Sequence, residues 1–507
     1  MLAKVYGSAV FGVLAETITV EVHVAIGIGY HLVGLPDNAV KESHYRIAAA
    51  LLNNGYKIPG KKITINMAPA ALKKEGAAYD LTLALGILTA SAQLKAPDIG
   101  KYIMMGELSL DGSILAVKGV LAMAIQAVEE GFKGLIVPAE NALEASVVRG
   151  IQVFGVSHIN EVIEFVSSKN KQQTLAPISE ISLSNTPASN PTKRKLCFSE
   201  VKGQEGVKRC MEIAAAGGHN ILLIGPPGAG KTMLAKRMPT ILPPMSFEEA
   251  LETTKIHSVA GLLDTSGLLQ SRPFRSPHHT ISDVALVGGG SFPQPGEISL
   301  AHNGVLFLDE LPEFKKGVLE VLRQPLEDRT ITISRAKYSI SYPASFMLVA
   351  SMNPSPSGYF KSDSESFSDS ASSVNRYLSK VSGPLLDRID LHIEVQPLSF
   401  ESLSETELSE SSDQILKRVI KAREIQSQRF KNDKDCFHNA QMHHGMVVQY
   451  CGVNEASKAL LKTAMKQLGF SARAYDRILK VSRTIADLEG SEAILSVHLA
   501  EAIQYRA

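Results

Sequence analysis

A chain of 507 residues, 45% apolar and 20% charged, is too long for one hydrophobic core, and roughly two to four soluble domains are expected. Its net charge of +1 excludes a globally basic nucleic-acid binder, so any such contact must come from local patches. The cysteines Cys197, Cys210, Cys436 and Cys451 are scattered without C-x-x-C spacing, which argues against a disulfide framework and fits a reducing compartment.

Residues 1–166 read as an α/β domain. Alternation at 18–24 and 62–67 predicts strands, and helical periodicity follows at 41–53, 81–92 and 117–130. The apolar stretch at 81–92 is interrupted by Thr, Gly and Ser and falls short of a membrane span. The N-terminus lacks a charged, apolar, cleavable signal pattern, so a cytoplasmic protein with no membrane partner is expected. Gly131-Phe-Lys-Gly-Leu-Ile-Val-Pro138 is a turn into a short buried strand. Residues 167–195 turn to Ser, Asn, Gln, Pro and Lys and read as a linker.

A second core spans 196–398. Its apolar run Ile221-Leu-Leu-Ile224 leads into Gly225-Pro-Pro-Gly-Ala-Gly-Lys-Thr232, a G-x-x-x-x-G-K-T string. A strand running into such a turn and then a helix start aims several backbone N–H groups at one point and cradles phosphates. The cradle is assigned to Gly225, Pro226, Pro227, Gly228, Ala229, Gly230, Lys231, Thr232 and Met233. Lys231 reaches the outer phosphates of ATP, and the Thr232 hydroxyl ligates Mg²⁺. Gly304-Val-Leu-Phe-Leu-Asp-Glu310 is a second apolar strand ending in two carboxylates. Asp309 would hold Mg²⁺ through water and Glu310 would polarise the attacking water. Between the motifs lies Pro-, Gly- and His-rich text, including Phe274-Arg-Ser-Pro-His-His-Thr280. Residues 355–373 are serine-rich and acidic and predict a surface loop. From 399 to 507 the pattern is helical, at 413–430, 454–468, 472–489 and 497–506, and predicts a lid.

With these residues in view the chain resembles the Mg-chelatase-like AAA+ family of YifB/ComM type over nearly its whole length. The most specific blocks are Phe274-Arg-Ser-Pro-His-His-Thr280, the run from Gly296 to Phe314, Ser382-Gly-Pro-Leu-Leu-Asp-Arg-Ile-Asp390, and the run from Ser471 to Leu488. The resemblance implies a Lon-like, ribosomal S5-type α/β domain at 1–166, a three-layer P-loop domain with a parallel sheet at 196–398, and the helical lid. It further implies a homohexameric ring with ATP at subunit interfaces, and for the ComM branch, DNA branch migration in natural transformation. By the same resemblance Asn353 matches the sensor-1 position and orients the lytic water with Glu310. Arg388 matches the trans-acting arginine finger, and Arg473 the sensor-2 arginine of the lid. Without that context Arg388 and Arg473 would read as surface salt-bridging residues.

Two departures from the family stand out. A Lon-type peptidase site needs a serine activated by a lysine. Here Lys74-Glu-Gly-Ala-Ala-Tyr-Asp80 puts Ala78 at the nucleophile position, and apolar residues from Val120 to Met123 stand where the lysine is expected, so no proteolysis is expected. Many relatives carry two Cys-x-Cys pairs after the sensor-1 asparagine, whereas this chain has Ser355-Pro-Ser357 and Ser366-Phe-Ser368; no zinc is expected. Cys436, His438, His443 and His444 match no common zinc spacing.

Lys458, Lys462 and Lys466 recur every fourth residue and share a helix face, which is either a solvated face or a phosphate contact. Arg272, Arg275, His278 and His279 either touch substrate or shape a turn beside Pro273 and Pro277. Arg335 and Lys337, in a hairpin expected over 330–341, are further pore candidates. The leading reading is an ATP-driven ring motor acting on branched or single-stranded DNA. An ATP-driven protein remodeller and a chelatase-type motor subunit remain as alternatives.

Overall fold

The computed structural model describes residues 1–168, 174–178, 196–263, 267–290, 293–335, 338–358, 370–397, 409–433 and 435–506. Most of the expected linker at 167–195, together with Ser366, Ser368 and Lys337, lies outside the described residues. The chain forms two compact units: Met1–Ser189 with Ser246–Gln270, and Asn190–Met245 with Ser271–Ala507.

The first unit is a seven-stranded mixed sheet with helices. Its strand order is Gly29–Val33, Lys62–Ala68, Leu14–Ala25, Leu2–Phe11, Tyr102–Met104, Gly134–Pro138 and Gln152–Val156. The long central pair is antiparallel, in register from Leu2 opposite His23 to Phe11 opposite Leu14. Ile18, Val20, Val22 and Val24 are all buried, so one face of that strand is core, as the alternation predicts. Helix Asn38–Asn53 starts on Asp37, whose carboxylate accepts from the Val40 N–H at 2.8 Å. Helix Asp80–Ala90 is buried on nearly every side, which accounts for apolar residues all round it rather than on one face.

Residues 246–270 cluster with this unit, although the sequence places them inside the ATPase stretch. Their helix, Phe247–Ala260, begins with a full capping box from Ser246 and Glu249. The Gly119 N–H, at the start of helix Val120–Glu129, donates to the Ser258 carbonyl at 3.2 Å.

The second unit is built on a five-stranded sheet in the order Phe274–Arg275, Val305–Leu308, Met347–Met352, Ile221–Ile224 and Leu391–Glu394, with every pairing parallel. Parallel strands covered on both faces read as apolar runs rather than alternations, and Val305–Leu308 and Met347–Met352 are buried at every position. Helices Ser412–Arg429, Glu455–Leu468, Ala472–Leu488 and Ser496–Gln504 form the C-terminal part. Ser411, Asn454 and Ser471 cap the first three, each accepting from the backbone N–H three residues on. Ile478, Ile485 and Leu499 share one core with Ile221, Val305 and Val349, so lid and sheet are one packed body. No helix among the described residues is long and apolar enough to cross a membrane.

Burial pushes the Glu144 carboxyl of the first unit up to about 7, only partly opposed by the Asn141 amide at 3.4 Å and the Val120 N–H. A raised carboxyl contributes stability that is complete below its ordinary value and is lost as pH rises through the raised one. Unfolding free energy should therefore fall by about 3 kcal/mol between roughly pH 4.5 and 7 on account of this residue. Denaturant titrations across that range should show the slope in the wild type and its loss in Glu144→Gln; identical profiles would remove Glu144 as the cause.

Candidate active site

Three adjacent parallel strands end together and bring the motifs into contact. The Ile221–Ile224 strand opens into the glycine-rich turn, in which Gly228 (φ +78°) and Gly230 (φ +90°) hold left-handed backbone that a side chain would strain. Gly225 has no room for a Cβ, because the Val395 carbonyl oxygen would stand 2.3 Å from it. The Lys231 ammonium, in a residue 9% exposed, donates to the carbonyls of Gly225 (2.6 Å) and Pro226 (2.8 Å) and to Asn353 Oδ1 (3.0 Å). Burial pulls Lys231 below its usual value, opposed by Asp309 and Glu310. The Thr232 hydroxyl donates to Asp309 Oδ2 at 2.7 Å. Lys231, Thr232, Asp309 and Asn353 thus form one cluster, with hard oxygen donors from Thr232 and Asp309 suited to Mg²⁺.

Ser351, unremarked in the sequence, completes it. Its hydroxyl donates to Asp309 Oδ1 and accepts the Glu310 backbone N–H at 3.3 Å. The clue available beforehand is its spacing two residues before Asn353, which puts both on one face of the strand. Glu310 has φ +54°, a left-handed conformation uncommon for a residue with a side chain and often found at functional sites. Its carboxylate is 55% exposed, and His279 Nδ1 stands 3.8 Å from it.

Arg388 is buried. Its guanidinium pairs with Glu327 and donates to the Pro384 carbonyl at 2.7 Å. Its own carbonyl accepts from Asn220 Nδ2 at 3.2 Å and from Arg477 of the lid helix Ala472–Leu488 at 2.9 Å. Arg473 lies one turn earlier on that helix and is exposed.

Arg272 and Arg275, weighed as substrate contacts, are engaged within the unit. Arg272 donates to the Pro243 carbonyl at 2.6 Å and the Asn303 carbonyl at 2.7 Å, and Arg275 forms a bidentate pair with Glu297, both bonds 2.6 Å. They shape the segment that carries the histidines. His278 bonds Thr280 at 2.9 Å and its ring lies 4.1 Å from that of His279. The hairpin Thr330–Arg335 with Tyr338–Pro343 is present, antiparallel throughout. Lys458, Lys462 and Lys466 are exposed, and Lys458 is held by Glu455 at 2.7 Å.

In the first unit, Ala78 is half-buried, while Val120, Leu121, Ala122 and Met123 are buried. Lys74, nearby in sequence, is itself buried and donates to the Pro69 carbonyl and to the Leu72 carbonyl at 2.8 Å. Ser355 and Ser357 hydrogen-bond each other at 2.9 Å. Cys436 donates to the His438 carbonyl at 3.6 Å, and burial pushes its thiol up to about 11. Among the described residues no group of three or more His, Cys, Asp or Glu is placed to hold a metal ion.

Residues 197–403 match the family described as magnesium chelatase, subunit ChlI. Residues 20–141 match subunit ChlI of Mg-chelatase, and residues 409–506 its C-terminal part. The competence protein ComM of Haemophilus influenzae is 45% identical across 100% of this chain and 97% of its own. The YifB protein of Escherichia coli is 44% identical over the same shares. Lon protease 2 of Bacillus subtilis is 29% identical over 34% of this chain and 32% of its own.

The Arg477 guanidinium is the cation paired with Asp390, whose carboxylate is 5% exposed and held well below the usual carboxylate range by Arg477 and His219 despite its burial. Removing one partner of a buried pair typically costs about 3–5 kcal/mol. Arg477→Ala should lose stability of that order in urea unfolding of the full chain. A loss under roughly 1 kcal/mol, the net worth of one ordinary hydrogen bond, would mean that Asn220 and His219 satisfy Asp390 unaided.

Proposed function

Because the chain belongs to the Mg-chelatase-like AAA+ family of YifB and ComM type, we propose that it hydrolyses ATP as a subunit of a hexameric ring that remodels branched or single-stranded DNA. The observation that carries the ATPase reading is the joining of Lys231, Thr232, Asp309 and Asn353 at the ends of neighbouring parallel strands.

In this reading Lys231 exchanges its carbonyl partners for the outer phosphates of ATP. Thr232 and Asp309 hold Mg²⁺, which offsets charge on the β- and γ-phosphates. Asn353 orients a water and Glu310 takes its proton. The water oxygen bonds to the γ-phosphorus as the bond to the β–γ bridging oxygen breaks, leaving ADP and inorganic phosphate. Arg388 acts across a subunit interface, exchanging Glu327 for the neighbour's γ-phosphate, as its planar, permanent charge suits. Arg473 reports nucleotide state from the lid. The Lon-like unit, with Ala78 and no lysine on the helix opposite it in the family pattern, performs no proteolysis.

The load is the less direct inference. A relative named for competence supports DNA. The exposed stripe of Lys458, Lys462 and Lys466 offers the phosphate contacts, since Arg272 and Arg275 are engaged internally.

Lys231 and Glu310 should fail differently. Lys231→Ala should weaken ATP binding, whereas Glu310→Gln should keep ATP bound and stop turnover. Wild-type turnover by Glu310→Gln would remove its assigned role.

DNA binding should decline linearly on a log–log plot against salt, with a slope near −0.9 per neutralised duplex phosphate and little dependence on base sequence. Four-way-junction DNA should raise the ATPase rate. Changing Lys458, Lys462 and Lys466 to Gln should flatten the salt slope by up to about 0.9 for each lysine that meets a phosphate, without altering stability. If junction DNA neither binds near physiological salt nor changes the rate, the DNA reading fails and protein remodelling replaces it.

A further inference from the structure

Beside the catalytic cluster is a cavity of about 400 Å³, lined by Glu310, Glu313, Asn353, Arg376, Tyr377 and Lys380, among others. Asn353 Oδ1 is bonded to the Lys231 ammonium, so the cavity begins where the phosphate loop's own cation ends. Four of the lining residues, Ser373, Arg376, Tyr377 and Lys380, come from helix Ala371–Leu378 and the turn after it. None of the sequence motifs points to them.

The helix is fixed against the site. Tyr377 is buried, and its hydroxyl lies against the Asn353 backbone. Lys380 pairs with Glu313 at 3.0 Å, its ammonium 5.6 Å from the Tyr377 ring centre. Glu313 in turn follows directly from the strained turn, its N–H donating to the Glu310 carbonyl at 2.8 Å.

The cavity wall holds two carboxylates and two cations, and once Glu313 and Lys380 pair, Glu310 and Arg376 remain without an ion pair to each other among the described residues. Glu313 and Lys380 neutralise each other, and Glu310 stands by the water it activates in the proposed reaction. Arg376 is exposed on the cavity wall and forms no ion pair among the described residues. A guanidinium beside Asn353 and Glu310 has the donor geometry and permanent charge to take a phosphoryl oxygen.

We propose that Arg376 is a catalytic residue that binds the γ-phosphoryl group of ATP held on the same subunit's phosphate loop, with Tyr377 and the Lys380–Glu313 pair as positioning residues. The inference rests on the ATPase reading and adds to it a cation in cis, distinct from Arg388, which acts from a neighbour. It predicts discrimination by the γ-phosphate: Arg376 touches ATP and not ADP.

The test compares the wild-type full chain with Arg376→Ala, Arg376→Lys and Lys231→Ala, measuring binding of ADP and of a non-hydrolysable ATP analogue, together with turnover. Arg376→Ala should bind ADP as the wild type does, bind the analogue about 10- to 100-fold more weakly, and lose turnover by at least that factor, with Arg376→Lys recovering part. Equal weakening of both nucleotides would show a merely structural role and overturn the proposal, as would an unchanged ratio of analogue to ADP affinity. A wild type that binds neither nucleotide, or a Lys231→Ala variant indistinguishable from it, would sink the ATPase reading and this inference with it. Loss of discrimination in Lys231→Ala but not in Arg376→Ala would sink this inference alone.

Discussion

A carboxylate only 5% exposed, that of Asp390, accepts from the Asn220 backbone N–H at 2.9 Å and from Arg477, and the placement of four separate elements follows from that junction. Asn220 stands immediately before the Ile221–Ile224 strand that enters the phosphate loop. Its side-chain oxygen also accepts the Leu348 N–H of the strand leading to Asn353, at 2.8 Å. Its amide nitrogen and Arg477 both reach the Arg388 carbonyl. The strand entering the glycine-rich turn, the strand leading to Asn353, the turn that carries Arg388 and the helix Ala472–Leu488 therefore share a single polar node. Such a pair adds little net stability compared with apolar packing, but it admits few alternative geometries, because either charge left alone would be strongly destabilising. Arg473 and Arg477 are four residues apart on one helix, so they share a face. Arg477 thereby ties the helix that carries Arg473 to the backbone that carries Arg388.

The parts of the molecule legible in the sequence are those determined by neighbours along the chain. Period-two alternation over 18–24 located the core of the Leu14–Ala25 strand, and helical periodicity located the lid helices. The glycine-rich turn could be read because its chemistry is contiguous. Partners distant in sequence could not be: Asn220 and Asp390 are 170 positions apart, and Arg477 and Asp390 are 87 apart. Strand Phe274–Arg275, two residues long, carries too little pattern to register as a strand at all. Nor does periodicity show that helix Phe247–Ala260, flanked in sequence by second-unit segments, clusters with the first.

The arginine pair and the lysine row of the second unit separate by the same logic. Composition alone makes Arg272 and Arg275 as good a basic patch as any lysine row. Their planar heads instead satisfy backbone carbonyls and a carboxylate in a segment rich in Pro and Gly, where regular secondary structure supplies few partners. That engagement holds the adjacent His278 and His279 in place, and His279 lies within 3.8 Å of Glu310. The segment between the motifs thus brings His279 beside the Glu310 carboxylate, while Lys458, Lys462 and Lys466 of helix Glu455–Leu468 are exposed.

The first unit carries a related argument. A lysine anywhere on the turn Val120 to Met123 would sit among residues no more than 3% exposed. An unpaired ammonium there would cost several kcal/mol, or lose its proton. An apolar residue is therefore the stabilising choice at these helix positions. The unit is a sheet with helices, Phe247–Ala260 packed among them.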